Sequence, residues 1–179
     1  MKKVVFIAIM AVFTSFSVFS QKIESSKVDD FTGKKVIYTS KEKITSESMT
    51  NFKQTMFQFR YENETMFLHL FWQCREIMSV TDGSNIIFKM TDDSNITLKS
   101  IGNVIAEKGV ASTKSVQIAG LWGLALKYTG EDLNRFSEDI YVKKFRIYTT
   151  KGYVDFDVKE KDAQKLKELF SILIEEIKK

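Results

Sequence analysis

The chain of 179 residues has no proline, one cysteine, one histidine and only four arginines, and each scarcity narrows what it can be. The single cysteine, Cys74, cannot form a disulfide within the chain, so the fold must rest on its hydrophobic core alone. A lone histidine, His69, leaves no histidine-based metal site, and zinc-type ligand spacing is absent, so no metal and no cofactor are expected. Any Ser-His-Asp or Cys-His device would have to use His69. Cys74 lies an odd number of residues further on, which turns two side chains of one strand to opposite faces. His69 is therefore expected as a buried, hydrogen-bonded core residue, and Cys74 as a buried, inert thiol. No GxSxG or HExxH motif occurs. The basic residues are scattered from Lys22 to Lys179 without a run, which argues against nucleic acid as a partner.

What the chain does have begins at its first residues. Lys2 and Lys3 precede Val4 to Phe19, an apolar stretch without a charge, and Val18 and Ser20 place small residues three and one before Gln21. This is the pattern of a cleaved export signal over residues 1–20. The stretch is shorter than the roughly 20 residues that span a bilayer core, so no stable membrane anchor is expected after cleavage. Acylation at the cleavage site would need a cysteine there, and Cys74 is far away. Residues 21–179 are then expected to be one β-rich globular domain, long enough to bury about 68–70% of the surface its unfolded chain exposes.

Within that domain Ser25 to Asn51 is polar, interrupted by a short strand at Val36-Ile37-Tyr38. From Phe52 to Leu98, and again from Leu121 to Val158, β-branched and aromatic residues alternate with polar ones between Asp, Asn and Gly clusters, as antiparallel strands do. Asn103 to Gln117 reads as a long excursion. Three hairpins follow from parity. In the first, a loop over Tyr61 to Thr65 pairs Phe59 with Phe67 and Phe57 with His69, and leaves both faces apolar. In the second, a three-residue loop at Asp92-Asp93-Ser94 pairs Met90 with Ile96 and Phe88 with Leu98. In the third, Lys151-Gly152 as the loop pairs Ile147 with Phe156 and sets Arg146 opposite Asp157. A short helix after Thr129 would bury Leu133 and Phe136, with the Thr129 hydroxyl as cap. The chain closes on a helix from Glu160 to Ile177, where Ala163, Leu166, Leu169, Phe170, Leu173 and Ile177 form one stripe.

The fold class expected is α+β, predominantly antiparallel: a hairpin-built sheet or partly open barrel or roll, with the long C-terminal helix packed on it. The repeated Thr81-Asp82-Gly83-Ser84-Asn85 and Thr91-Asp92-Asp93-Ser94-Asn95 lack the spacing and closing Glu of a calcium loop and read as turns. Asp155 and Asp157 lie on one strand face at a separation glycosidases also use, yet Arg146 and nearby lysines account for them as a solvated charge ladder. Ala119-Gly120-Leu121-Trp122-Gly123-Leu124 brackets a tryptophan with glycines, so Trp122 is either a core plug beneath a loop or a binding platform.

Val28-Asp29-Asp30-Phe31-Thr32-Gly33, the segment Phe145 to Asp155 and the closing helix resemble small exported proteins of unknown function from Bacteroidetes-type bacteria. That resemblance implies a Gram-negative periplasmic or secreted setting, in which the sequons at Asn63 and Asn95 stay unglycosylated. It carries no site residue over. The function expected is a non-catalytic binding or interaction protein of the envelope, with an unidentified envelope protein as partner. The alternative is a carrier holding an apolar small molecule or lipid in a barrel against Trp72 and Trp122. A third is a carboxylate-dependent hydrolase.

Overall fold

Alternating side chains along the strands give this protein a sheet with one predominantly apolar face, and the rest of the fold is arranged to cover it. The computed structural model describes residues 22–45, 54–108 and 122–179. The strands are β1 (Ile23–Val28), β2 (Lys35–Thr39), β3 (Glu42–Thr45), β4 (Thr55–Glu62), β5 (Thr65–Cys74), β6 (Ser79–Val80), β7 (Asn85–Met90), β8 (Asn95–Ser100), β9 (Val104–Ile105), β10 (Glu107–Lys108), β11 (Trp122–Thr129), β12 (Val142–Thr149) and β13 (Gly152–Asp157). A 3₁₀ helix spans Glu131–Ser137, and α1 spans Glu160–Ile177. The main sheet runs β1-β2-β4-β5-β11-β8-β7-β12-β13, every neighbour antiparallel. β3 pairs with β4 beyond β2, β10 pairs with β11, and β6 and β9 form a separate small pair. The sheet is not closed. The fold is thus mostly antiparallel β with one long C-terminal helix packed on it, as the pattern predicts.

The inner face is a continuous chain of aromatic rings. Phe170 of α1 meets Phe59 at 5.0 Å between centroids, and Phe136 of the 3₁₀ helix meets Phe88 at 5.2 Å. Phe145 stacks on Phe156 at 4.7 Å and 9° between planes, and Trp72 meets Phe156 edge-on at 5.3 Å. Offset and edge-on pairs of this kind add to the area they bury. From α1, Ala163, Leu166, Leu169, Phe170 and Leu173 are all buried, and Glu160 and Asp162 occupy the first turn, where negative charge suits the helix dipole. Leu133 and Phe136 are buried as expected, but Thr129 caps nothing: its hydroxyl donates to the Met66 carbonyl at 3.0 Å, and Gly130 precedes the helix.

The hairpins exist where the sequence places them, with different registers. In the first, Glu62 pairs with Thr65, and Asn63 and Glu64 alone make the turn, both with positive φ (52° and 63°), the geometry that fits a tight two-residue loop. That one-residue difference flips the pairing: Phe57 faces Leu70, Phe59 faces Leu68, and His69 faces Gln58 rather than Phe57. In the second, Phe88 pairs with Ile96 and Ile86 with Leu98, so the loop is Thr91-Asp92-Asp93 with Asp93 at φ 66°. In the third, Thr149 pairs with Gly152, Phe145 with Phe156 and Arg146 with Asp155. Gly152 at φ 112° lies where only glycine is unstrained, so it closes the turn from within the pair. These last two registers slip by an even number, which keeps every face as predicted and changes only the partners. β1 and β3 fall in or at the start of the polar stretch Ser25 to Asn51, where the sequence shows only the strand that forms β2. β1 is an edge strand whose residues are mostly exposed, so it lacks the alternation that marks the others.

Candidate binding face

The face of the sheet opposite α1 is where the chain departs from a purely structural pattern. Along β5, Leu68, Leu70, Trp72 and Cys74 turn inward and are buried, while Phe67, His69, Phe71 and Gln73 turn outward and are half-buried. Pairing brings Arg60 opposite Phe67, Gln58 opposite His69 and Met56 opposite Phe71 from β4. From β11 it brings Lys127 beside His69, and β2 sets Tyr38 beside Arg60. Three cations lie over three rings on this face: Lys127 3.8 Å from the centroid of Phe67, Lys41 4.4 Å from Phe71, and Arg60 4.9 Å from Tyr38. Such contacts hold the cation without neutralising it. Arg60 also pairs with Glu62 at 2.6 Å, and the Gln58 amide donates to Glu24 at 2.8 Å and to the Thr39 carbonyl at 2.9 Å.

His69 is at the centre, edge-on to Tyr38 at 6.5 Å and to Phe71 at 6.4 Å. Its Nε2 is buried and has no hydrogen-bond partner among the described residues. Burial, and then the charges of Arg60, Lys127 and Lys41, push its pKa down to about 4, so the ring is neutral at ordinary pH. His69 is therefore not the hydrogen-bonded core residue expected. It belongs to the outer face, and the false Phe57 pairing of the first hairpin is what hid this.

Trp72 and Trp122 share the inner face. Trp122 pairs with Cys74, and Leu124 pairs with Trp72, so the two indoles lie one strand pair apart. Trp72 is 2% exposed and its Nε1 has no partner among the described residues. Trp122 is half-buried against the core, with the Lys108 ammonium 5.5 Å from its ring. Ala119 to Leu121, the first half of the glycine-bracketed segment, lie outside the described residues. Cys74 is buried on the face opposite His69, as the odd spacing predicts. Its thiol donates weakly to the Trp122 carbonyl at 3.7 Å, and burial pushes its pKa up to about 11, which keeps it a thiol.

Several carboxylates are occupied in turns and ion pairs. Asp155 receives both arms of Arg146, at 2.6 and 2.7 Å, so the arginine's partner is Asp155 and not Asp157. Asp92 accepts from the Ser94 amide at 3.0 Å and its hydroxyl at 2.7 Å, which holds the Asp92 pKa below the usual range. Asp29 is held low in the same way by the Thr32 hydroxyl and amide. In the other repeat Asp82 accepts from the Gly102 amide at 2.6 Å, so both Thr-Asp segments are turns. Among the described residues no cluster of three His, Cys, Asp or Glu side chains suited to a metal occurs. A groove of about 440 Å³ on the solvent side of α1 is lined by Lys22, Tyr141, Lys167 and Glu168. Of its charged residues, Lys22 pairs with Glu168 and Lys167 with Asp139 at 2.6 Å, while Glu175 completes the lining.

No known protein family matches the chain, and neither does any curated protein or solved structure.

The outer face carries no sequence motif. Its cations come from three places, Lys41, Arg60 and Lys127, and only strand pairing brings them together. The available signal was the Phe67-His69-Phe71 alternation itself, three rings on the face of a strand whose other face is also apolar.

Proposed function

We propose that this chain is an exported, non-catalytic binding protein that meets its partner through the outer face of β4, β5 and β11. The observation that carries the reading is the set of three ring-bound cations around a neutral, half-buried His69. A sheet face held only for solubility has no need of Phe67, Phe71 and Tyr38 there. Against catalysis stand the low pKa and unpartnered Nε2 of His69, the protonated Cys74 and the engagement of Asp155 by Arg146 and of Asp92 by Ser94. Export rests on the Lys2-Lys3 start, the apolar Val4–Phe19 and the small residues before Gln21; the Gram-negative periplasmic or secreted setting is what the resemblance to small exported proteins of Bacteroidetes-type bacteria implies. The carrier reading, with Trp72 and Trp122 as the ligand contacts, has less support, because Phe145, Phe156 and Trp72 pack ring against ring where the ligand would lie.

Photo-crosslinking in the producing cells tests the face. With benzoylphenylalanine replacing Phe71, adducts are expected. At Ile172 on α1 none are expected. Adducts from Ile172 alone, or none from either site, overturn the reading. Mass measurement of the mature chain checks export: a chain beginning at Gln21 is expected, and one retaining residues 1–20 contradicts it.

A further inference from the structure

We propose that the outer face takes an acidic polysaccharide, whose anionic groups pair with Lys41, Arg60 and Lys127 around His69. The inference rests on that face being the binding surface. Lys41 and Lys127 have no carboxylate partner among the described residues, whereas Arg60 shares Glu62. Two charges held on rings and left unpaired are free to meet an anion. Their spacing sets the ligand's size. Phe67 and Phe71, over which they lie, are four residues apart on β5, about 13–14 Å by strand rise. One phosphate or carboxylate cannot touch both, so the ligand is a chain bearing several anions. Lys43, exposed on β3 opposite Met56, extends the same row.

The class of chain follows from what the face withholds. Single-stranded nucleic acid needs open ring faces on which bases stack. Here Phe67, Phe71 and Tyr38 each already hold a cation. An acidic peptide strand needs free backbone donors and acceptors, but β4 and β5 are paired along both edges. An anionic lipid surface would use the most exposed large apolar side chain among the described residues, Phe31, which Asp29 and Asp30 precede with negative charge. A polysaccharide keeps its hydroxyls in water and asks only that its anions be matched, which this face does.

Calorimetry on the mature chain tests this with four probes: a heparin octasaccharide, a neutral dextran of equal length, an oligo-dT, and vesicles of anionic phospholipid. Heparin is expected to bind, to weaken as salt rises, and to lose at least about tenfold in affinity in the Lys41→Glu/Lys127→Glu double variant. Lys41→Gln/Lys127→Gln, which removes charge without adding any, should lose less. Both variants are checked for an unchanged thermal unfolding. Absence of heparin binding at low salt, equal affinity in the charge-reversed variant, or tighter binding to oligo-dT, dextran or vesicles overturns the proposal. If heparin fails while crosslinking from position 71 succeeds, the ligand class falls and the binding face stands. If both fail, both fall.

Discussion

The two faces of one sheet are both rich in aromatic rings, and they use them in opposite ways. On the inner face rings meet rings: Phe57, Phe59, Phe88, Phe145, Phe156 and Phe170 are essentially inaccessible and contact one another at 4.7–6.0 Å. On the outer face rings meet cations, and Phe67, His69 and Phe71 stay half-buried. The inner arrangement gains stability by excluding water. The outer one keeps charge at the surface on an apolar bed, where it stays available. Aromatic content alone therefore says nothing about role; the neighbour of each ring does.

The largest expected effect breaks the inner face. Phe170→Ala removes a fully buried ring that links α1 to Phe59 and Phe136, and should cost about 3–5 kcal/mol by urea unfolding. A cost under about 1 kcal/mol would mean that α1 does not complete the core. Phe71→Ala on the outer face should cost about 1 kcal/mol, since its ring is only partly removed from water; an effect as large as that of Phe170 would erase the distinction between the faces. Tyr128→Phe sharpens the comparison from inside. The Tyr128 hydroxyl is buried with no partner among the described residues, so its removal should leave stability unchanged or raise it by up to about 1 kcal/mol. A clear loss in thermal unfolding would reveal a bond to that hydroxyl. Smallest of all, Lys41→Gln/Lys127→Gln should shift stability by no more than about 0.5 kcal/mol, so that any loss of binding in that variant reports the face and not the fold.

Much of the fold was legible because strand parity is robust. The second and third hairpins kept their faces despite the wrong partners, since Phe88, Phe145 and Phe156 point inward in any register shifted by two. The helix was legible to the residue, because its stripe and first-turn acids coincide. The first hairpin was not. Both faces of β4 and β5 are apolar, so the pattern could not choose between registers one residue apart, and the deciding residues, Asn63 and Glu64, only show their positive φ in the fold. That slip moved His69 into the core on paper. The outer cations are not legible in the sequence for another reason: Lys41 and Lys127 stand far apart along the chain, and only the β2-β4-β5-β11 order brings them together. Scattered charge in sequence is thus no argument against a charged face.

His69, the only histidine, reports on all of this at once. It faces Gln58 and Arg60 from β4, Lys127 from β11, Tyr38 from β2 and Lys41 from the turn after it, and the carboxylates bound to these neighbours are Glu24 on Gln58 and Glu62 on Arg60. A folded pKa near 4 below an unfolded value of 6.5 means the unfolded chain takes up the proton first. Stability from this group is therefore level above pH 6.5 and falls as the pH drops from 6.5 toward about 4. The decisive measurement is an NMR titration of the His69 imidazole, alone and with saturating heparin octasaccharide. The account predicts a midpoint near 4 in the free chain and a clear upward shift when the anions neutralise Lys41, Arg60 and Lys127. A midpoint near 6.5 in the free chain, or one that heparin leaves in place, would contradict it.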